Sequence, residues 1–190
     1  VYTDDTDGHK RGDVSEAPAE KASAALVISR ARIGYQLLRS WRVSPGLVDD
    51  RIDEEKIRAW LDAVRMILSE KGRFREGLYH FGHVLAFASA GTDGVCPSEV
   101  VRDVIEELTS GEVERGYEDG VLNRRGVTAR PLGEGGSQEA ELSLLYRLDA
   151  DRLCDVWPRS AAILRRVADF YDTDARRNDE LAEQLQQHFG

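Results

Sequence analysis

The sequence predicts an all-α protein, and three observations support this class. Apolar residues recur at steps of three and four from Ser23 towards the C-terminal end, as they do on one face of a helix. No segment alternates apolar and polar residues between turn signals, as a half-buried strand does. Turn sequences such as SPG (residues 44–46) and GTDG (residues 91–94) separate the helical stretches. We therefore expect a compact bundle of six to seven helices.

Size and composition are those of a globular domain. The chain has 190 residues, of which 41% are hydrophobic and 32% charged, enough for one core and a charged surface. No stretch approaches the length of apolar sequence that a transmembrane helix needs. The net charge of -9 disfavours a nucleic-acid partner, whose binding surface would be basic. Two distant cysteines without a CxxC pair are typical of the reducing cytoplasm, and they argue against a disulfide framework.

The N-terminal stretch differs from the rest of the chain. Residues 1–22 contain almost no large apolar side chains, so they cannot bury enough surface to offset the entropy of ordering. We expect a disordered tail or linker there, followed by a single helical domain over residues 23–190. Because the first residue is Val1 rather than methionine, we expect a fragment or processed product that the tail tethers to a parent polypeptide.

The first two predicted helices are separated by the SPG turn. One apolar face of the first helix is formed by Val27, Ala31, Gly34, Leu38 and Trp41. The second helix begins after Asp53, a suitable N-cap, and has an acidic first turn that the helix dipole favours. Its apolar stripe is Ile57, Leu61, Val64 and Leu68. Gly72 suits the end of this helix, because glycine readily adopts the left-handed conformation found there.

Three further helices follow. The apolar residues of the third are Leu78, Phe81, Leu85 and Ala88. Pro97 suits the first position of the fourth, where its missing N–H costs nothing. The stripe of the fourth is Val100, Val101, Val104, Ile105 and Leu108. A fifth segment, bent from the fourth near Ser110, contains Gly116 and Gly120. Each glycine costs a helix interior roughly 1 kcal/mol relative to alanine, which predicts that another backbone passes close by.

Two helices complete the chain. Ser137 can cap a sixth helix, whose apolar residues are Leu144, Leu145, Leu148 and Leu153. Pro158 begins the last helix, which carries a heptad-like seam of Leu164, Ala168, Tyr171, Ala175, Asn178, Ala182 and Leu185, flanked by Leu181. This helix either lies along its own bundle or pairs with another chain through an interaction seam. That seam, formed by Tyr171, Asn178, Leu181 and Leu185, would also allow a homo-oligomer.

The arginine- and glycine-rich stretch between the fifth and sixth helices is a candidate anion site. Its donors would be Asn123, Arg124, Arg125 and Arg130. Amides of the GEGG sequence (residues 133–136) and the next helix N-terminus would assist them. No phosphate-loop motif or preceding strand supports nucleotide binding. The upstream acids Glu112, Glu114, Glu118 and Asp119 balance the arginines, which favours internal salt bridges and a hinge over anion capture.

A second candidate site is a metal triad in the sequence EGLYHFGH. Glu76, His80 and His83 follow one another at steps of four and three, and a carboxylate with two imidazoles can hold zinc or iron. The HExxH motif is absent, and the triad lies about 200° around the axis from the apolar stripe. We therefore expect a polar face there, with a metal-dependent hydrolase as a remote hypothesis. No catalytic residue and no cofactor is predicted.

Several segments together resemble a known type of protein. They include LLRSWRVSPG, GHVLAFASAGTDGVCPSEVV, VERGYEDGVLNRRGV and GGSQEAELSLLYRLDADRLCDVWPRSAAIL. The shared pattern includes N-x-RG-V, GG-x-Q-E and WPR-x-x-x-x-L and covers about residues 25–180. It is similar to the C-terminal all-helical region of large, poorly characterised bacterial accessory-genome proteins. The resemblance implies a module of a larger machine in a defence or mobile-element context. Ala140 replaces the arginine of that pattern, which weakens an implied anion site.

Together these features predict a non-catalytic, cytoplasmic helical interaction or scaffold module of a larger bacterial assembly. Its partner would be a protein or a parent polypeptide, without nucleic acid or a membrane. An anion- or nucleotide-sensing domain that uses the arginine-rich loop over residues 123–136 is the alternative function.

Overall fold

The structure is a computed structural model that describes residues 18–126, 131 and 134–189. Within this part of the chain it contains seven helices and one two-stranded hairpin, which confirms the predicted all-α class. The helices are α1 (Pro18–Ser40), α2 (Glu54–Glu70), α3 (Phe74–Leu85), α4 (Glu99–Leu108), α5 (Gly111–Arg124), α6 (Ser137–Leu153) and α7 (Pro158–Phe189). None of the described helices is both long and apolar enough to cross a membrane.

The chain divides into two compact units, one that ends at Trp41 and one that begins at Arg42. The first unit contains α1, which starts inside the predicted tail, and residues 1–17 of that tail lie outside the described residues. The predicted helix is present, but its predicted apolar face is not buried. Val27 is 63% exposed, and neither Leu38 nor Trp41 is fully buried.

A short β-hairpin that the sequence patterns did not predict opens the second unit. Strand β1 (Leu47–Val48) pairs antiparallel with β2 (Arg51–Ile52). Asp49 and Asp50 form the two-residue loop with φ angles of 47° and 62°, and left-handed values at both loop positions match the twist of a hairpin. Strands of two residues are too short to produce a recognisable alternation of apolar and polar side chains.

The start of α2 follows the prediction, whereas α4 starts later than expected and α5 is a separate helix. Asp53 Oδ1 accepts a hydrogen bond from the backbone N–H of Lys56 at 3.0 Å, as an N-cap does. The prediction that Pro97 begins the fourth helix is wrong, because α4 begins two residues later, after Ser98. Thr109 in the left-handed region ends α4, and α5 starts anew rather than as a bent continuation.

Carboxylates from distant elements cap α6 and α7. Asp179 Oδ1 accepts a hydrogen bond from Gly136 N at 2.8 Å, at the N-terminus of α6. Glu106 accepts from the backbone N–H groups of Arg159 at 3.1 Å and Ser160 at 2.9 Å, at the N-terminus of α7. Ser137 therefore does not cap α6 as predicted. The first N–H groups of a helix have no acceptor within the helix, and at these two helix ends tertiary contacts supply one.

The core of the second unit lies where α3, α5 and α7 meet α2 and α4. Its fully buried residues include Ile57, Phe81, Leu85, Val101, Ile105, Val113, Ile163 and Val167. A smaller cluster closes the turn between α6 and α7, with Val95, Ala150, Leu153, Ala161 and Leu164. The apolar stripes that predict α2, α3 and α4 therefore face this core, as the helical spacing requires.

Glycines allow α3 and α5 to pack with their backbones in contact, which confirms the prediction for Gly116 and Gly120. A Cβ atom on Gly120 would lie 2.7 Å from the carbonyl oxygen of His83, and one on Gly116 would overlap the carbonyl oxygen of Tyr79. Gly82 of α3 meets the backbone of Val113 in the same way. Glycines on both helices thus offset their helix-propensity cost by permitting this close approach.

A completely buried arginine anchors the loop before α4. Arg102 is 0% exposed. Its Nη1 and Nη2 donate to the two oxygens of Asp93 at 2.6 and 2.8 Å, and its Nε donates to the carbonyl oxygen of Pro97 at 2.7 Å. Nη2 also donates to the carbonyl oxygen of Val95 at 2.6 Å, and the guanidinium lies 4.8 Å from the ring of Trp157. This side chain binds the loop, α4 and the start of α7 together.

The Asp93–Arg102 pair predicts a loss of stability in acid. The hydrogen bonds from Arg102 lower the pKa of Asp93 from 3.8 to about 2. Since the folded pKa lies below the unfolded one, the pair stabilises the protein above about pH 4, and this stabilisation is lost as the pH falls towards 2. We expect Asp93→Asn to be less stable than the wild type at pH 6, and the difference in urea midpoint to shrink by pH 2. A difference that is constant over this range would contradict the assignment.

Candidate functional site

The residues of the predicted anion site lie at a joint where α5, α6 and α7 meet. Arg125, just after α5, places Nη2 2.5 Å from Oε1 of Glu139 and 3.4 Å from Oε1 of Gln138, both in the first turn of α6. The same guanidinium lies 5.4 Å from the ring centre of Tyr171 on α7. Burial raises the pKa of the Tyr171 hydroxyl, and the nearby Arg125 opposes that rise.

Glu139 is the charged centre of this joint. Its side chain is 0% exposed, and its second carboxylate oxygen lies 3.5 Å from Nδ2 of Asn178 on α7. A buried carboxylate requires a charged or hydrogen-bonding partner, which Arg125 and Asn178 supply. The internal carboxylate of Glu139 therefore occupies the position beside Arg125 that an external anion would need.

Arg124, the neighbouring predicted donor, bonds to a different element. Arg124 donates from Nη1 to the carbonyl oxygen of Ala86 at 3.1 Å, which ties α5 to the end of α3. Asn123 is exposed, and Arg130 lies outside the described residues. Within the described part of the loop, the contacts therefore support the predicted hinge between the two halves of the bundle.

Three of the acids upstream of the loop, Glu112, Glu114 and Glu118, form salt bridges, as expected, but with arginines of other helices. Glu112 pairs with Arg75 of α3. Glu114 pairs with Arg159 at 2.7 Å and Arg166 at 3.4 Å, both on α7. These acids therefore join α5 to α3 on one side and to α7 on the other, instead of pairing with the arginines next to them in the sequence.

The predicted metal triad is not assembled as a ligand set. No group of three or more His, Cys, Asp or Glu side chains could hold a metal ion anywhere in the described ranges. His80 and His83 are half-buried instead of forming a fully solvated face. Burial lowers the pKa of His80, and for His83 burial, Arg42 and His80 together lower the pKa. His83 packs edge-on against Phe87 at 5.8 Å, which is a packing role.

The predicted interaction seam of α7 divides into a buried and an exposed part. Tyr171 is only 3% exposed and stacks on Tyr146 of α6 at 5.8 Å, so it belongs to the core. Asn178 is half-buried beside Glu139. Leu181 and Leu185 are 48% and 39% exposed, and they lie beyond the contact between Asp179 and the start of α6.

The apolar stripe predicted for α6 is only partly a core stripe. Leu153 is buried, whereas Leu144, Leu145 and Leu148 are 61%, 51% and 55% exposed. The residues of α6 that face α7 are instead Glu139, Ser143, Tyr146, Ala150 and Leu153. The prediction for this helix chose the more apolar residues, while the buried face also contains polar and small side chains.

The contact between Arg125 and Glu139 was missed, although both residues occur in the pattern that carries the resemblance. Arg125 is the arginine of N-x-RG-V, and Glu139 is the glutamate of GG-x-Q-E. The structure brings these two short motifs into direct contact. A buried carboxylate at the first turn of a helix looks like an ordinary dipole-stabilising residue in the sequence, so spacing alone did not indicate the pair.

Comparisons with known proteins return no match: no protein-family model, no curated protein and no solved structure matches this chain. The resemblance to accessory-genome proteins therefore stays an expectation.

Proposed function

We propose that this chain is a non-catalytic helical interaction module of a larger assembly. In this proposal the distal part of α7, from Glu180 to its end, docks in an apolar groove of a partner protein. The bacterial setting and a role in defence belong to the proposal only through the resemblance. The observation that carries it is the exposure of Leu181 and Leu185 on the part of α7 that follows the contact of Asp179 with the start of α6.

The spacing of the exposed leucines supports helix-in-groove docking. Leu181 and Leu185 are one turn apart and therefore lie on one face, with the half-buried Ala182 beside them. Exposed apolar residues at such spacing are the anchors that grooves on partner proteins recognise. In this part of α7, all described side chains other than Ala182 are exposed.

The charge of the distal helix indicates the chemistry of the partner. From Glu180 to the end of the chain there are two acids, Glu180 and Glu183, and no Lys or Arg. An apolar stripe with an acidic rim fits a groove whose rim is formed by Lys and Arg. The partner we propose is therefore a protein with a basic-rimmed apolar groove.

A site-specific cross-link tests this docking. A photo-reactive residue at position 185 of the full chain should cross-link to one protein in lysate of the source organism, at a peptide that has Lys or Arg on both sides. Leu181→Glu should reduce the cross-link at least tenfold, since it places a charge in the apolar contact. Raising the salt concentration should also reduce it, because the rim contacts are exposed and screened.

Two variants serve as controls. Gln187→Glu adds the same charge on the opposite side of the helix and should leave the cross-link within about twofold of the parent value. The second control measures partner capture without a cross-linker. A chain that ends at Glu180 should not retain the partner, although it keeps the contacts of Asn178 and Asp179 with α6. Capture of the same partner by that shortened chain would contradict the proposal.

The anion-sensing alternative has weaker support. The Nη2 of Arg125, one of its predicted donors, already lies against Glu139 and Gln138. An external anion would have to displace a fully buried carboxylate, which would leave that carboxylate without its charged partner.

A further inference from the structure

We propose that the outer face of α6 is a homodimer contact, in which α6 packs antiparallel against α6 of a second copy of this chain. This α6 face consists of Glu141, Leu144, Leu145, Leu148 and Arg152. It is separate from the distal part of α7, so this inference does not depend on the proposed docking function.

The first support is the geometry of the face. Glu141, Leu145, Leu148 and Arg152 follow one another at steps of four, three and four, and so lie within about 60° of each other around the helix axis. All are exposed, and Leu144 beside them is 61% exposed. Three neighbouring exposed leucines in the middle of a well-packed helix form an apolar patch of the kind that marks an interface.

The second support is charge complementarity, which identifies the occupant. The acidic end of the face is Glu141 and the basic end is Arg152, with the leucines between them. When two copies pack antiparallel with Leu145 opposite Leu148, each Glu141 lies opposite Arg152 of the other copy. Because Glu141 precedes Leu145 by the same step that separates Leu148 from Arg152, a single two-fold axis generates all of these contacts.

Other arrangements of the same face are less favourable. Parallel pairing would place Glu141 beside Glu141 and Arg152 beside Arg152, and like charges repel. Shifting the antiparallel register by one residue, so that Leu144 faces Leu148, would bring Glu141 opposite Asp151. Of these arrangements, the antiparallel register described above is the one that joins leucine to leucine and acid to base.

The side chains beside the leucines are compatible with this pairing. A shallow depression lined by Arg125, Gln138, Glu141, Leu142 and Leu145 borders the face and offers room for Leu148 of the second copy. Arg152 donates to the carbonyl oxygen of Asp93 at 2.5 Å and to Asp149 at 3.4 Å, yet its side chain stays 53% exposed. It is therefore held at the surface in a position to meet a carboxylate.

The size of the face predicts a weak dimer. A standard stable interface buries about 800 Å² per partner, whereas this face has three leucines and two charged residues. We expect a dissociation constant of roughly 10–100 µM. Sedimentation velocity of the full chain between about 5 and 500 µM should then show a shift from monomer to dimer.

Charge reversal provides the decisive experiment. Glu141→Arg and Arg152→Glu should each raise the dimer dissociation constant at least tenfold, because each places like charges opposite one another twice per dimer. An equimolar mixture of the two variants should form a heterodimer, since every contact between positions 141 and 152 then again joins an acid to a base. The double variant should dimerise like the parent. Leu148→Glu should abolish dimers in every combination.

The outcomes separate this inference from simpler explanations. Circular dichroism melts confirm that the variants are folded, and Glu141→Arg, which breaks no described contact, keeps the test valid if Arg152→Glu unfolds the protein. A parent chain that stays monomeric at about 500 µM would overturn the inference. So would a dimer that Glu141→Arg and Leu148→Glu leave unchanged, because that dimer would use another surface.

Discussion

Arg102→Met is expected to lower the free energy of unfolding by about 2–5 kcal/mol, because the fully buried guanidinium satisfies two backbone carbonyls, and each buried acceptor left without a donor costs about 1–3 kcal/mol. Methionine fills part of the volume but donates no hydrogen bond. The carboxylate of Asp93 would lose both of its bonds from the guanidinium, and the carbonyl oxygens of Val95 and Pro97 would lose theirs. Desolvated acceptors without donors are the main source of the loss.

An exposed arginine in a similar pairing provides the matched control. Arg58 also forms a two-pronged contact, with Nη1 and Nη2 donating to Glu107 at 2.6 and 2.9 Å. The Glu107 side chain that would remain is 55% exposed, so water can replace the lost guanidinium. We expect Arg58→Met to cost less than about 1 kcal/mol. Urea denaturation followed by circular dichroism measures both variants, and equal losses would show that burial does not decide the contribution of these arginines.

Arg102 also shows where helical periodicity stops being informative. The sequence predicts α4 from Val101, Val104 and Ile105, and this stripe is buried as expected. Arg102, next to Val101, resembles a residue of the polar side of the helix. It is buried because the loop before α4 folds over it and offers three acceptor groups. That enclosure depends on the path of a loop, which short-range spacing does not encode.

The helix ends show the same division between local and tertiary causes. Asp53 caps α2 by accepting a hydrogen bond from the backbone N–H of Lys56, three residues further along the chain. A local motif of this kind is visible in the sequence. Asp179 and Glu106 cap α6 and α7 across gaps of 43 and 53 residues. Their role could not be predicted because nothing in their own neighbourhood distinguishes them from surface acids.

The candidate site was predicted only in part, because one member of its central pair is also distant in the sequence. Arg125 was selected from the local composition and its position after a helix, and the structure does place it at a joint between helices. Its partner Glu139 lies 14 positions further along the chain, across residues that include an arginine- and glycine-rich loop. The sequence favoured internal salt bridges with the upstream acids over an external anion, and the acceptor is indeed internal, but it lies downstream in α6 rather than among those acids.

Gly116→Ala is expected to destabilise the protein by about 2–3 kcal/mol, in the upper part of the range for overpacking. The added methyl group would overlap the backbone carbonyl of Tyr79 on α3 and lie 3.0 Å from the backbone nitrogen of His83. A backbone cannot rotate away as a flexible side chain can, so α3 and α5 would have to separate. The roughly 1 kcal/mol by which alanine favours an isolated helix over glycine is already included in this net loss.

Gly111→Ala in the same helix separates the packing effect from helix propensity. Nothing lies within 4 Å of a Cβ atom at Gly111, so this variant should change stability by less than about 1 kcal/mol, and in the stabilising direction. Urea midpoints of the two variants measure this difference in stability. Circular dichroism should show that both keep the helical content of the parent chain. Similar stability for the two variants would contradict close backbone packing of α3 and α5. A large loss at position 116 alone would show that these glycines set the distance between the two helices, on which the positions of Arg124 and the Arg125 joint depend.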